Sequence, residues 1–344
     1  MKLFPLKNPR HHFGFLREDK HLIAKALKFQ HLSIEEKKLL QDTWPGLEFY
    51  QIDLMWNCIH KHFRSFSPYY LGAMQGHIVR GLLNPSKQLV SLENKAMCDV
   101  WFPEIPFPEV LIRSFNGVLY DKHMNTITVK DALEIISCEN EVIIKPSVGT
   151  MCGVGVRKVN VEKLKADDGL QKIGSNIIVQ KVLCQEDSIA RLNPSSINCC
   201  RITSLYINGK FDFSTMIKVG KHGSHVDNWH SSYLIGMSKD GKLDNIGFDK
   251  QLNIVSKTDN GINFGGMFVP GFGKMVELVE KSHKKYFPFC GIIGWDIITN
   301  REGAPIVIEA NLSVPGLVGE QLVSGPFLEP FVGDICDKLK KGNK

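Results

Sequence analysis

The sequence predicts an α+β protein in which antiparallel hairpins are combined with amphipathic helices. The dipeptide Asn208-Gly209 separates two strand-like runs, Cys199–Tyr206 and Phe211–Val219, which is a strong signal for a two-residue hairpin. A short β-branched run, Val142–Ile144, predicts a buried strand. Apolar residues recur at helical spacing over Phe272–Tyr286. Helices and paired strands are therefore expected in the same chain.

The composition is that of a globular protein with room for more than one domain. The chain has 344 residues, of which 43% are hydrophobic and 23% are charged. A net charge of +6 suits an enzyme with anionic substrates, but it is too dilute to indicate a nucleic-acid partner. No apolar run is long enough to span a membrane, and residues 1–5 lack a signal-peptide core, so no membrane insertion is expected.

The cysteines and the first histidines give no sign of a metal site. The nine cysteines contain no CxxC pair, so we interpret them as reduced thiols of a cytoplasmic protein. Residues 1–90 have a helical pattern, with Ser33 before Glu35 and Glu36 as a predicted helix start. The histidines of this region have no partner at ligand spacing and are predicted to lie on the surface; they are His11, His12, His60 and His62.

A glycine-rich loop follows the strand that ends at Lys145-Pro146. Glycine permits close approach and positive φ, so such a loop can direct several backbone N–H groups at one anion. The strand-end lysine adds a full positive charge. The loop residues singled out are Ser147, Gly149, Thr150, Gly153 and Gly155. The pattern matches neither GxxxxGK[ST] nor a GxGxxG that opens a helix, so a plain hairpin turn remains the alternative. We interpret Cys152 as a packing residue, not a nucleophile.

The predicted hairpin at Asn208-Gly209 places four polar side chains on one face. In its register Arg201 lies opposite Met216 and Thr203 lies opposite Ser214, while Lys218 falls on the same face. A solvated face and a ligand-binding face both explain this pattern.

Three oxygen-bearing side chains interrupt apolar strands near the end of the chain. Asp296 lies inside the run Cys290–Ile298, and Glu309 and Asn311 are two apart, so they share a face of the next strand. Carboxylate and amide oxygens are suitable Mg²⁺ ligands. The alternative is that the two carboxylates are paired with neighbouring lysines. We favour the metal site, because these runs are too apolar to be simply exposed.

These motifs, in this order, resemble the ATP-grasp superfamily, and in particular its sugar-transfer-associated branch. The resemblance covers roughly Lys95 to Phe331. It implies a fold in which two α+β subdomains grip ATP, after an N-terminal helical region. The domains expected are 1–90 for the helical region, 91–183 for the lobe with the phosphate loop, and 184–344 for the lobe with the metal and acceptor site. The matching segments are IIKPSVGTMCGVGV (143–156), IIVQKVL (177–183), SSINCCRITSLYINGK (195–210), GWDIIT (294–299) and PIVIEANLSVPG (305–316).

The resemblance implies which residues bind the nucleotide. Lys145 would hold the α- and β-phosphates, and the loop Ser147–Gly155 would close over the β- and γ-phosphates. Lys95 corresponds to an earlier nucleotide-binding lysine of the family. The hinge that receives the adenine edge through backbone groups corresponds to Gln180, Lys181 and Leu183.

The resemblance also implies the metal and catalytic residues. Asp296 and Glu309 would bind Mg²⁺, with Glu309 bridging two ions and Asn311 completing the second. Arg201 corresponds to the arginine expected to steady an acyl phosphate and the tetrahedral intermediate, with Lys218 assisting.

The chain departs from the family pattern where relatives have a glycine-rich segment. Here Asp227-Asn228 is followed by the bulkier Trp229-His230-Ser231-Ser232-Tyr233, a segment expected to face the acceptor.

The function implied is ATP-dependent ligation of a carboxylate to an amine, with ADP as a product. The carboxylate is activated as an acyl phosphate, and the family's association with polysaccharide genes suggests a uronic acid and an amino acid or small amine. The cofactors would be ATP and Mg²⁺. A kinase acting on a hydroxyl group is the alternative, and a non-catalytic nucleotide-binding module is third.

Overall fold

The computed structural model describes residues 32–49, 66–85, 87–149, 153–166, 174–221, 223 and 231–342. Several residues singled out in the sequence lie outside this part of the chain: His11, His12, His60, His62, Thr150, Cys152, Asp227, Asn228, Trp229 and His230.

The described residues combine helices with two antiparallel sheets, which confirms the α+β prediction. The helices are α1 Ile34–Thr43, α2 Ala73–Leu83, α3 Leu89–Leu92, α4 Cys98–Trp101, α5 Val129–Ile136, α6 Val161–Ala166, α7 Asp187–Ala190, α8 Phe272–Tyr286, α9 Val318–Ser324 and α10 Val332–Gly342, with a 3₁₀ turn at Glu329–Phe331. In this part of the chain no helix has the length and apolarity needed to cross a bilayer.

The strands form one sheet of six and one of seven, in the orders β3-β2-β1-β6-β4-β5 and β11-β10-β9-β8-β7-β12-β13. They are β1 Val110–Phe115, β2 Val118–Tyr120, β3 Thr126–Ile127, β4 Glu141–Pro146, β5 Arg157–Asn160, β6 Asn176–Lys181, β7 Cys199–Ile207, β8 Lys210–Gly220, β9 Ser232–Met237, β10 Leu243–Phe248, β11 Ile254–Val255, β12 Ile292–Thr299 and β13 Pro305–Asn311.

The six-stranded sheet carries the glycine-rich loop between β4 and β5. These strands pair antiparallel from Glu141 opposite Asn160 to Ile144 opposite Arg157, so the glycines lie in the connection of a hairpin. Pairing with β4 holds residues 158–160 in a strand despite their polarity. Helix α6 begins only after them.

The seven-stranded sheet has one polar and one apolar face. The hairpin β7–β8 has the predicted register, with Arg201 opposite Met216 and Thr203 opposite Ser214. The side chains of alternate residues on these strands point the other way and pack against α8 in a buried apolar cluster. The predicted helix Phe272–Tyr286 is thus confirmed, and it covers the apolar face.

The described N-terminal residues pack against the same sheet through a second apolar cluster. Helix α1 starts at Ser33 with a capping box to Glu36, as the sequence predicts. Leu71 exchanges two hydrogen bonds with the side chain of Gln321, its N–H donating over 2.8 Å and its carbonyl accepting over 2.9 Å. The side chain of Asn84 bonds the backbone of Ile292 and Leu312. The helices before residue 85 therefore attach to the ends of β12 and β13.

Candidate active site

Three strands of the seven-stranded sheet align the predicted charged residues in one row. Asp296 on β12 lies directly opposite Glu309 on β13 and opposite Arg201 on β7. Directly opposed residues of antiparallel strands share a face. The row therefore brings together two carboxylates and one guanidinium that are separated by many residues along the chain.

Asp296 is held by two cations. Arg201 donates from Nε to Oδ1 over 2.8 Å and from Nη2 to Oδ2 over 2.9 Å, and Lys218 Nζ lies 2.9 Å from Oδ1. Burial alone would raise the pKa of Asp296, but the charges of Arg201 and Lys218 more than offset it and hold that pKa well below its usual range. Asp296 is therefore ionised at neutral pH.

Glu309 pairs with Lys95, whose Nζ lies 2.8 Å from Oε1. Lys95 lies in the turn between α3 and α4. The side chain of Asn311 donates to the carbonyl of Gly294 over 3.0 Å and to Asp296 Oδ2 over 3.3 Å. Asp296 and Asn311 are thus in contact, and Glu309 lies opposite Asp296 on the neighbouring strand.

Lys145 is a buried ammonium at the end of β4. It is 6% exposed, and within the described residues no carboxylate lies close enough to form an ion pair with it. Burial, reinforced by the charge of Lys95, lowers the pKa of Lys145 to about 8. A buried cation without a dedicated partner is unfavourable by itself, so this position is suited to an anionic ligand.

The backbone conformation of the glycine-rich loop is also suited to binding an anion. Gly149, Gly153 and Gly155 all have positive φ, and a Cβ at Gly155 would lie 2.8 Å from Pro146 Cγ. The carbonyl of Ser147, at the start of the loop, accepts from the backbone N–H of Lys95 over 2.9 Å. The loop and Lys95 are therefore joined directly.

A pocket lies where the two sheets meet, and the side chains of Lys95 and Lys145 line it. These cations line it together with three carboxylates, those of Glu93, Asp99 and Glu309, and with an apolar wall made by Phe107, Val110, Ile308 and Ala310. Gln180 also lines it and donates to the carbonyl of Pro108 over 3.2 Å. The arrangement can bind a ligand with a flat apolar part and a polyanionic part.

The other two predicted hinge residues are placed differently from Gln180. The side chain of Lys181 forms exposed ion pairs with Glu109 and Glu139, at 2.8 and 3.4 Å, and does not line the pocket. Leu183 follows the end of β6 and is half-buried. Of the three, Gln180 alone lines the pocket with its side chain.

Sequence reasoning missed two carboxylates. Glu93 accepts from the N–H groups of Leu312 and Ser313 and from the Ser313 hydroxyl, over 2.6 to 2.7 Å, and so fixes the chain just after Asn311. Glu320 on α9 is 2% exposed, and its Oε1 lies 3.4 Å from Arg201 Nη1. No local pattern marks either one, because each acts on residues distant in the sequence.

The oxygen atoms of these side chains suit a Mg²⁺ ion that is bound together with a nucleotide. Within the part of the chain that the structure describes, no group of three or more His, Cys, Asp or Glu side chains is arranged to hold a metal ion. Mg²⁺ is commonly bound by one or two carboxylates together with substrate phosphates and water. Asp296 and Glu309, opposite each other beside a polyanion site, suit that mode.

The two sheets and the site between them define a protein of the ATP-grasp superfamily. The chain belongs to the sugar-transfer associated ATP-grasp family, whose model matches residues 77–337. This confirms the superfamily and the branch predicted from the sequence. No curated protein matches the sequence significantly.

Some solved structures show a distant likeness to this chain. D-alanyl-alanine synthetase A from Vibrio cholerae O1 biovar eltor str. N16961 is 14% identical with a TM-score of 0.43, over 73% of this chain and 64% of that one. The D-cycloserine synthetase DcsG is 13% identical with a TM-score of 0.46, over 79% of this chain and 82% of that one. An L-amino acid ligase from Bacillus licheniformis is 12% identical with a TM-score of 0.40, over 73% of this chain and 48% of that one. The chain thus spans less than two thirds of the Vibrio and Bacillus proteins, and the family assignment rests on the family match.

Proposed function

We propose that this chain is an ATP- and Mg²⁺-dependent ligase that joins a carboxylate to an amine through an acyl phosphate. The observation that carries the proposal is Lys145, a buried ammonium without an ion-pair partner among the described residues, at the base of a glycine-rich loop. Membership of the ATP-grasp family supports ATP as the anion and supports the ligase class.

The residues proposed for the nucleotide site bind different parts of the ATP molecule. Lys145 and Lys95 bind the phosphates with their ammonium groups, and the loop Ser147–Gly155 binds them with its backbone N–H groups. Gln180 lines the pocket beside its apolar wall, which supports our proposal that adenine binds next to it. Lys181 and Leu183 contribute to that hinge through their backbone.

The metal and catalytic roles follow the row across the seven-stranded sheet. Asp296, Glu309 and Asn311 would hold Mg²⁺, which would neutralise charge on the β- and γ-phosphates. Arg201, which pairs with Asp296 in the absence of ligand, would stabilise the transferred phosphoryl group through its guanidinium N–H groups, and Lys218 would add a further positive charge. Catalysis of this kind is positioning and charge stabilisation, and needs no covalent bond to the enzyme.

In the reaction, a substrate carboxylate oxygen attacks the γ-phosphorus of ATP and ADP leaves. The amine nitrogen then attacks the acyl carbon, and phosphate leaves with the electron pair of the C–O bond. We propose a uronic acid, free or in a nucleotide-sugar or glycan, as the carboxylate and an amino acid or small amine as the acceptor. The family's association with sugar transfer supports this choice of acid. The cytoplasm is the proposed compartment.

The segment expected to face the acceptor is described only from Ser231 onwards. Tyr233 lies on β9 opposite Val219, packs in the apolar cluster beneath the sheet, and donates from its hydroxyl to Asp259 over 2.5 Å. Its side chain therefore points away from the face of Lys218. We therefore propose that Tyr233 supports the sheet.

The test is ATP turnover with Mg²⁺ against a panel of uronic acids and nucleotide-uronates, each with and without pooled amino acids. We expect ADP and free phosphate only when both an acid and an amine are present. ADP formed without free phosphate, from a hydroxyl compound and no amine, would establish a kinase instead. Binding of ATP without ADP formation on any substrate would favour the non-catalytic module.

A further inference from the structure

Each proposed metal-binding carboxylate is paired with a cation that the phosphates also require. Lys95 Nζ lies 2.8 Å from Glu309 Oε1. Both oxygens of Asp296 accept from Arg201, and Oδ1 also faces Lys218. A metal ion and these cations therefore compete for the same carboxylate oxygens.

At Glu309 the competition leaves an excess of positive charge. Lys95 pairs with Glu309, whereas Lys145 has no ion-pair partner among the described residues, and Lys95 contributes to the lowered pKa of Lys145. The other two carboxylates of the pocket are engaged elsewhere, Asp99 with Arg113 and Glu93 with the backbone of Leu312 and Ser313. If Glu309 turns to a metal ion, two ammonium groups remain in a largely buried pocket. Unpaired buried charges are strongly unfavourable, so an anion has to reach the lysines at the same time.

At Asp296 the chain itself provides a second partner for the arginine. Glu320 Oε1 lies 3.4 Å from Arg201 Nη1 and 3.5 Å from Thr203 Oγ1, and the side chain of Glu320 is 3% exposed. Good charge-assisted N–H···O bonds are about 2.7–2.9 Å long, so this contact can still shorten. A guanidinium released from Asp296 can therefore tighten its contact with Glu320.

We infer that Lys95 and Arg201 compete with the metal ion for Glu309 and Asp296, and that the nucleotide relieves this competition because the phosphates and Glu320 then neutralise the two cations. The inference rests on the proposed nucleotide-binding function. Coupling of this kind is reciprocal, so the metal ion and the nucleotide strengthen each other's binding by the same factor.

The decisive variant is Lys95→Met, with Mn²⁺ as the metal probe and ADP as the nucleotide probe. Free Mn²⁺ is measured by electron paramagnetic resonance, and ADP binding is measured by calorimetry in the presence of a chelator. We expect the variant to bind Mn²⁺ alone roughly tenfold more tightly than the parent protein and ADP alone roughly tenfold more weakly. A folding defect weakens both and cannot produce opposite signs.

A second variant tests the role of Glu320. Glu320→Gln should bind Mn²⁺ alone more weakly than the parent, because Arg201 loses the carboxylate that receives it. The matched controls are Lys285→Met and Glu302→Gln, which remove exposed charges elsewhere on the surface and should change neither affinity.

Unchanged or weaker Mn²⁺ binding by Lys95→Met would overturn the inference, as would tighter Mn²⁺ binding by Glu320→Gln. The ligase assay is scored separately. Opposite shifts in the binding of Mn²⁺ and ADP, without amide formation on any acid, would overturn the ligase and leave the coupling standing. Amide formation with shifts of the same sign would overturn the coupling alone.

Discussion

Two buried polar clusters lie on opposite faces of strands β7 and β12, and they are built in opposite ways. The cleft cluster contains Lys95, Lys145, Arg201, Lys218, Asp296, Glu309 and Glu320. The helix-side cluster contains Ser204, His283, Cys290 and Trp295. In the latter, Trp295 Nε1 donates to Ser204 Oγ over 2.8 Å, the Ser204 hydroxyl lies 2.7 Å from His283 Nδ1, and His283 Nε2 donates to the carbonyl of Cys290 over 2.9 Å.

The difference separates a structural cluster from a functional one. Both ring nitrogens of His283 have a partner, and burial lowers the pKa of His283 to about 4, so the ring is neutral and fixed. In the cleft cluster, Lys95, Arg201 and Lys218 pair with carboxylates, whereas the buried Lys145 pairs with none of those described. A satisfied network holds strands to a helix, whereas an unbalanced one requires a ligand. The predictions below test this separation.

The largest effect is expected for Glu309→Gln. Loss of the charge proposed to bridge two metal ions should lower ATP turnover roughly 100-fold or more, while the fold survives. Turnover and thermal unfolding are measured on the same preparation. Near-normal turnover in a folded variant would remove Glu309 from the metal site.

Deprotonation of Lys145 should weaken the use of ATP at high pH. Its pKa is lowered to about 8, so kcat/KM for ATP should fall as the pH rises above about 8, where the ammonium loses its proton. Lys145→Arg should keep its affinity across this range because a guanidinium stays charged. Lys145→Met should lose roughly 10- to 100-fold in ATP affinity at all pH values. A parallel decline in the parent and the arginine variant would assign the titration to another group.

His283 should make stability, and not nucleotide binding, sensitive to acid. Its folded pKa is about 4 and the ordinary value is 6.5, so the unfolded chain binds more protons between these values. The free energy of unfolding should therefore fall as the pH is lowered through this window. Denaturant unfolding at several pH values measures the slope. His283→Gln should flatten that slope while leaving ADP affinity at neutral pH unchanged; an equal loss of ADP affinity would contradict the separation of the two clusters.

Two serines give the smallest and most direct contrast. Ser204→Ala leaves Trp295 Nε1 and His283 Nδ1 without their partner, so it should cost about 1–3 kcal/mol of stability. Ser214 is buried and its hydroxyl has no partner among the described residues, so Ser214→Ala should be close to neutral. Chemical denaturation of both variants decides the point, and equal losses would show that satisfaction of hydrogen bonds does not distinguish the two positions.

The sequence could predict what depends on local periodicity. The turn at Asn208-Gly209 fixes the register of β7–β8, and with it the shared face of Arg201 and Lys218. Asp296 and Glu309 were predicted to converge because they lie in consecutive strands, and the structure places them opposite each other. Their use as metal ligands stays a proposal, as do the hinge roles and the domain boundaries.

The rest depends on contacts between distant parts of the chain. No pattern near residue 95 indicates that Lys95 pairs with Glu309, and none near residue 320 indicates a contact with Arg201. The surface position of the Lys181 side chain likewise depends on residues distant in the sequence, because it pairs with Glu109 and Glu139; this leaves its proposed backbone role in the hinge untouched.

The hydrogen bonds of Leu71 with Gln321 have a consequence for where the chain can be cut. The family-matched residues begin at 77, so a shortened protein with those limits lacks the backbone of Leu71 that satisfies the buried Gln321 amide. Gln321 immediately follows Glu320, and Asn84 ties the same helical region to the ends of β12 and β13. The smallest fragment that keeps the cleft intact therefore has to start before Leu71, upstream of the point at which sequence similarity becomes detectable.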